Sequence, residues 1–327
     1  MPPLFAYAFA TIIIGAILFI FWKQQSEKKT GEAATGLTLD LTALAKNGHL
    51  EPVIGMDDVV ERLLHIIARK SKNNPLLLGQ PGVGKTAAVE GLAQRIARGD
   101  VPEAFLNKRV LSLDVNGLLA GTKFRGELES RLRDLLRNLE SNSRQTILFI
   151  DEIHTIEQTR GSEGAVDIAD ILKPALSRGD LQVIGATTWR EYEKYIKPDA
   201  AIDRRFQTVL VHEPSRDTAI DILRGVRHRY EDFHRVCIPD ETLIAAVDLS
   251  LKIKGRQLPD KAFDLIDEAS AKVSIEGPAR HSCALGLVHT AALRARGACK
   301  DGIPEVSVED VRTIAEEWQQ ERRDFQT

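Results

Sequence analysis

The stretch "PLLLGQPGVGKTAAVEGLAQRIARG", Pro75 to Gly99, decides the fold. Its first four residues are apolar and run into a glycine, as a short buried strand feeding a tight turn does. "TAAVEGLAQRIARG" carries apolar residues at helical spacing and stops at Gly99, as a helix closed by a C-terminal glycine does. Between strand and helix, "GQPGVGKT", Gly79 to Thr86, fits the phosphate-cradling pattern G-x4-G-K-[ST], in the strand–turn–helix context the pattern requires. Gly79, Pro81, Gly82, Val83 and Gly84 supply a turn whose backbone N–H groups can converge on phosphate oxygens, and the helix N-terminus adds partial positive charge. Lys85 is expected to reach the β- and γ-phosphates of ATP, Thr86 to hold Mg²⁺, and Ala87 to continue the same site into the helix.

Working outward, strand and helix patterns alternate. "RVLSLDV", "TILFID", "LQVIGATT" and "QTVLVHE" read as strands; "VVERLLHIIARK", "ELESRLRDLLRNLE" and "AVDIADILKPALSRG" read as amphipathic helices. Continuous apolar strands separated by helices predict an α/β fold, a parallel sheet covered on both faces. After Pro214 the strands nearly stop, and "SRDTAIDILRGVRHRYED", "DETLIAAVDLSLKI" and "PDKAFDLIDEASAKVSI" predict a smaller helical domain. "VSVEDVRTIAEEWQQ" predicts a short strand and a helix near the C-terminus. The expected organisation is a large nucleotide-binding domain over 38–213 and a helical lid over 214–327.

Three further motifs carry chemistry. "ILFIDE" ends a buried strand on two carboxylates, at the strand terminus where open α/β sheets place ligands. Asp151 is expected to hold Mg²⁺, and Glu152 to act as general base on the attacking water. "GATT" ends the next strand, and Thr188, ahead of Thr187, is the residue expected to contact the γ-phosphate or the water. "DRRFQ" presents Arg204 and Arg205, cations of the kind that stabilise charge on a transferring phosphoryl group, from within the chain or across a subunit boundary.

The ordered set "PVIG", "GQPGVGKT", "ILFIDEIHT", "LKPALSRG", "IGATTWREYEKYI", "KPDAAIDRRFQ" and "LPDKAFDLIDEAS" resembles the first ATPase module of the Clp-type AAA+ unfoldases and disaggregases. The resemblance implies an ATP-hydrolysing homo-oligomer, usually a hexameric ring, with ATP at the subunit boundaries. Arg204 and Arg205 then match the arginine fingers that act on a neighbour's ATP, and Thr188 the sensor position. Val53 and Ile54, with Pro259 of the lid, match positions around adenine. "AGTKFRGELE" matches the pore loop, in which Phe124, flanked by Lys123 and Arg125, grips a polypeptide in a central channel. "EQTRGSEGA" is a candidate second pore loop, and Arg256 a weak match to a second sensor. Met56 stands where the family has Arg.

Elsewhere, "LFAYAFATIIIGAILFIFW", Leu4 to Trp22, contains no charge. As a helix it would span roughly 28 Å, close to the hydrocarbon thickness of a bilayer. It is expected to be an uncleaved single-pass anchor, with residues 23–37 as a polar tether. Lys23, Lys28 and Lys29 follow it, which places the ATPase domain in the cytoplasm, as at a bacterial inner membrane. The net charge of −3 argues against nucleic acid as partner. Cys237, Cys283 and Cys299 are odd in number and widely spaced, without metal-ligand spacing, and read as free thiols. No built-in HExxH peptidase is present in the sequence, and a peptidase partner is not expected. Two functions follow: a membrane-tethered ring that unfolds, translocates or remodels polypeptides, or an ATPase subunit with a mainly structural role in a larger membrane machine such as a secretion or conjugation apparatus.

Overall fold

The computed structural model describes residues 37–115, 125–141, 145–158, 171–172, 174–175, 181–280 and 303–324. Leu4–Trp22, expected as the anchor, lies outside them. So do Lys123 and Phe124, and most of "EQTRGSEGA" and of "AVDIADILKPALSRG". Among the described residues no helix is long and apolar enough to cross a membrane.

The large domain is built on six strands: β1 (Thr38–Asp40), β2 (Asn74–Leu78), β3 (Arg109–Leu113), β4 (Thr146–Ile150), β5 (Gln182–Thr187) and β6 (Phe206–Leu210). Their order is β1-β3-β4-β5-β2-β6. β2 to β6 are parallel, as the sequence pattern predicts. β1 is not foreseen from sequence. It adds antiparallel to the edge, Thr38 opposite Leu113 and Asp40 opposite Leu111, and Asp40 accepts from the Arg109 guanidinium at 2.9 Å.

The strands are apolar throughout because each is buried on both faces. In β4, Leu148 and Ile150 pack into the cluster on one side of the sheet, and Ile147 and Phe149 into the cluster on the other. β2 divides in the same way, Leu76 and Leu78 against Leu77, which is the two-residue period of a pleated strand. One face is covered by α1 (Leu41–Lys46), α2 (Asp57–Ile67) and α3 (Lys85–Arg98). The other receives Leu132, Leu135, Leu136 and Leu139 of α4 (Arg125–Ser141), one stripe of that helix. Short turns α5 (Thr155–Gln158), α6 (Trp189–Glu191) and α7 (Ala200–Asp203) connect the later strands.

The lid packs α8 (Arg216–His234), α9 (Asp240–Ser250), α10 (Asp260–Arg280) and α11 (Val308–Asp324) around a separate core that includes Leu223, Val247, Leu265 and Ile314. The strand predicted at "VSV" reduces to a single parallel bridge, Cys237 to Glu305, because Pro304 and Val306 meet only one partner residue there. Cys237 is disulfide-bonded, which corrects the free-thiol reading at that position. At the hinge, Glu213 accepts from Leu258 N at 2.6 Å and pairs with the buried Lys261 ammonium at 3.2 Å. This carboxylate ties the end of the large domain to the start of α10.

Candidate active site

Parallel strands point one way, so their C-terminal ends share one edge of the sheet. β5 lies between β2 and β4. The turn after β2, the two carboxylates after β4 and the threonines ending β5 are therefore neighbours, although they are far apart in sequence. They border a cavity of about 1010 Å³ between the large domain and the lid.

The phosphate end is built by the turn into α3. Gly82 has φ +80° and Gly84 φ +96°, values an L side chain rarely adopts. At Gly82 a Cβ would also stand 2.6 Å from Asp260 Cβ of the lid, so the turn and α10 close on each other only without a side chain there. At Gly84 the obstacle would be Met56 Cε, at 2.7 Å. Met56 is buried beneath the loop, which gives this position an apolar packing role in place of a cation. No described side chain caps α3, so its first N–H groups remain available to an anion. Pro81, Gly82, Gly84, Lys85, Thr86 and Ala87 border the cavity. Gly79 and Val83 do not: Gly79 N donates to Thr187 O at 3.3 Å, and the Val83 side chain turns into the core.

The Lys85 ammonium donates to Gly79 O at 3.0 Å and to Gln80 O at 3.1 Å. Burial holds its pKa below the ordinary lysine value, and the carboxylates of Asp151, Glu191 and Glu152 oppose that shift. Thr86 Oγ1 donates to Asp151 Oδ2 at 2.7 Å, so the two oxygens expected to hold Mg²⁺ are already side by side. Glu152 follows with φ +46°, a left-handed conformation that costs a non-glycine residue of order 1–3 kcal/mol. Its N–H is held by Asp151 Oδ1 at 2.9 Å. The strain turns the chain sharply at the strand end and leaves the Glu152 side chain exposed at the border of the cavity.

Thr187 and Thr188 also border the cavity. Thr187 is buried, and its hydroxyl lies 2.9 Å from His154 Nδ1. Thr188 caps α6: its Oγ1 accepts from Glu191 N at 3.3 Å and donates to Glu191 Oε2 at 2.8 Å. The cavity also has apolar lining, to which Val53, Ile54 and Pro259 contribute with Ile222 and Val226 of α8. Tyr230 and Phe263 stack beside them, with ring centroids 6.0 Å apart. A flat base fits such a wall. Glu90 lies at its edge with its pKa raised by burial and by the neighbouring Glu51.

Arg204 and Arg205 are not part of this cavity. They precede β6, whose first residue pairs with Asn74 at the start of β2. Five residues of strand, roughly 16 Å, separate them from the edge where the Lys85 turn begins. They border a separate cleft with Arg69, Ser71, Lys72 and Gln207. Arg204 is exposed, and Arg205 Nε is buried without a hydrogen-bond partner among the described residues. Arg256, weakly matched to a second sensor, does not border the cavity either. It pairs with Asp264 and lies over the Trp318 ring, 5.4 Å from its centroid.

This geometry coincides with sequence and structural likeness. A family model described as "ATPase family associated with various cellular activities (AAA)" matches residues 75–213, and an AAA lid domain matches 215–293. The chloroplastic chaperone protein ClpB2 of Oryza sativa subsp. japonica is 55% identical over 238 residues, 72% of this chain and 24% of that protein. ClpB of Pseudomonas putida is 52% identical over 250 residues, 76% of this chain and 29% of the relative. The chain belongs to the AAA ATPases, with module and lid together matched over 75–293, and it is similar to the ClpB chaperones. Among solved structures, a closed-state reconstruction of Hsp104 with ATPγS and FITC casein superposes with a TM-score of 0.73 at 37% identity, over 88% of this AAA ATPase and 46% of that chain. The Hsp104–ADP complex of S. cerevisiae gives 0.70 at 42% identity, over 75% and 42% of the two chains. This AAA ATPase thus spans about a quarter to a third of the length of the curated relatives it matches, in the region of their first ATPase module. The family so matched is one of ATPases.

His154, Glu191, Tyr230 and Phe263 of this AAA ATPase are not among the residues its sequence motifs single out. Thr188-x-x-Glu191 is nonetheless a legible capping box, and His154 lies two residues beyond Glu152. Tyr230 and Phe263 sit on lid helices whose approach to the cavity no local pattern encodes. The Lys85→Ala variant is expected to weaken ATP binding about 10- to 150-fold, the value of a charge-assisted hydrogen bond to phosphate. Titration with a fluorescent ATP analogue measures it, and unchanged affinity would refute the phosphate assignment.

Proposed function

We propose that the protein is a membrane-anchored, ring-forming ATPase that uses Mg-ATP hydrolysis to pull polypeptide through a central pore, so as to unfold, translocate or remodel it. The observation that carries this reading is the position of Arg204 and Arg205. They stand at the opposite edge of the sheet from Lys85, with one guanidinium nitrogen unsatisfied among the described residues, as fingers meant for a neighbour's nucleotide would. A pocket that needs the next subunit's cation closes into a ring when the same contact repeats around an axis.

Within the pocket each residue has a task. The turn and Lys85 hold the phosphates, while Thr86 and Asp151 are hard oxygen donors suited to Mg²⁺, which supplies charge neutralisation at the β- and γ-phosphates. No cluster of three or more carboxylate, His or Cys ligands occurs among the described residues. That suits an ion whose remaining positions are taken by phosphate and water. Glu152 takes the proton of the attacking water, Thr188 orients it, and the apolar wall of Val53, Ile54 and Pro259 holds the base.

Polypeptide as substrate is supported by Phe124, an aromatic ring between Lys123 and Arg125 with a glycine to either side of the trio, and by the likeness to an Hsp104 structure containing casein. The charge-free run Leu4–Trp22 supports a single-pass anchor with the ATPase domain in the cytoplasm. The same run favours a second reading, an ATPase subunit whose turnover sets the assembly state of a membrane machine. ATPase measured with and without an unfolded protein separates the two. The polypeptide motor predicts stimulation that is lost in Phe124→Ala. No stimulation of the wild type, or stimulation that survives the substitution, favours the assembly role.

A further inference from the structure

One carboxylate oxygen gathers the end of β5. Glu191 Oε2 accepts from Thr188 N at 3.2 Å, from Thr188 Oγ1 at 2.8 Å and from Thr187 Oγ1 at 3.3 Å. His154 Nδ1 lies 3.4 Å from the same oxygen and 2.9 Å from Thr187 Oγ1. The His154 side chain is 7% exposed, and its ring stacks against Tyr195 with centroids 6.1 Å apart. Glu191 itself borders the nucleotide cavity.

A hydroxyl has one proton and two lone pairs. The Thr188 proton is committed to Glu191, and one lone pair is taken by Glu191 N. What remains at the border of the cavity is an acceptor. An acceptor can hold a water proton; it cannot donate to a γ-phosphate oxygen. His154 extends the arrangement backward. The Glu191 carboxylate favours the tautomer with the proton on Nδ1, which donates to Thr187 while Thr187 donates to Glu191. Ile153 N, just before His154, donates to Ala186 O at 3.0 Å. The segment carrying Glu152 is thus pinned to the strand leading to Thr188 by a backbone bond and by a buried side-chain bridge.

We propose that Glu191 and His154 are positioning residues for hydrolysis: they keep Thr188 as an acceptor for one proton of the attacking water and fix that water relative to Glu152, which takes the other. The inference rests on the reading of the cavity as the ATP-hydrolysis site. It predicts a separation of turnover from binding that a merely structural cap would not produce.

The test measures kcat and ATP-analogue affinity on the full chain. Glu191→Ala is expected to lower kcat about tenfold or more, the value of one hydrogen bond to a reacting group, with affinity held within about threefold. Glu191→Gln keeps a carbonyl oxygen for Thr188 and is expected to recover most of the loss. In a Thr188→Val background, Glu191→Ala is expected to add less than about twofold, because its partner is already gone. His154→Phe keeps the ring against Tyr195, removes Nδ1, and is expected to lower kcat without changing affinity. Affinity falling in step with kcat, Glu191→Gln as slow as Glu191→Ala, or full additivity with Thr188→Val would each overturn the proposal. Failure of the underlying site assignment would show differently, as a Lys85→Ala variant of undiminished ATP affinity assayed in parallel.

Discussion

Replacing Arg204 and Arg205 together by alanine is expected to lower ATP turnover by about 10³- to 10⁵-fold, the range of an arginine that stabilises a transferring phosphoryl group. Affinity of the variant's own pocket for ATP should be nearly unchanged. Strand geometry is the reason. β6 runs parallel to β2, so the residues before β6 lie beside the start of β2, and the phosphate turn lies beyond its end. An arginine side chain cannot bridge the length of a five-residue strand. A large loss of turnover with intact binding would therefore mean that the missing charge acts on some other copy's nucleotide. Steady-state hydrolysis beside equilibrium binding on the same preparation checks it. Equal losses in both would instead assign the pair a local structural role, and unaltered turnover would remove it from the mechanism.

Glu152→Gln is expected to cost about 10²- to 10⁴-fold in turnover, the contribution of a positioned general base, and to leave ATP bound. The amide keeps the shape and the cavity-border position but cannot take a proton. The backbone at this residue is held at φ +46° with its N–H on Asp151, so the substitution should leave the turn in place. Asp151 keeps its contact with Thr86, so the metal-binding pair should also survive. Single-turnover hydrolysis with pre-bound ATP isolates the step. Undiminished single-turnover rates would exclude Glu152 as the base.

The parts of the site that are legible in sequence are those that local chemistry dictates. The phosphate turn needs its glycines, its lysine and its strand–helix context within one short segment, so "GQPGVGKT" is readable alone. "ILFIDE" is readable because four apolar residues followed by two carboxylates mark a buried strand arriving at the ligand edge of a sheet. The five parallel strands follow from apolar runs that only burial on both faces can use. β1 is not legible: three residues, Thr38–Asp40, carry too short a pattern, and their pairing with β3 is decided by tertiary contact. Glu191 reads in sequence as a helix cap, and only the placement of β5 beside β4 brings His154 to it. Arg256 shows the opposite failure. Its position in the motif resembles a sensor, but Asp264 and Trp318 claim the guanidinium inside the lid. Met56, where the family has a cation, is accounted for only by the buried contact it makes beneath Gly84.

Completion of one copy's pocket by another copy's arginines can be observed by mixing two inactive proteins, Lys85→Ala and the Arg204→Ala, Arg205→Ala double variant. The first has fingers but binds ATP poorly; the second binds ATP but has no fingers. Random assembly of equal amounts places a sound pocket against sound fingers at about a quarter of the subunit seams. The mixture should then hydrolyse ATP well above the sum of its two components. Activity no greater than that sum, in an assembly verified to contain both variants, would contradict a shared site.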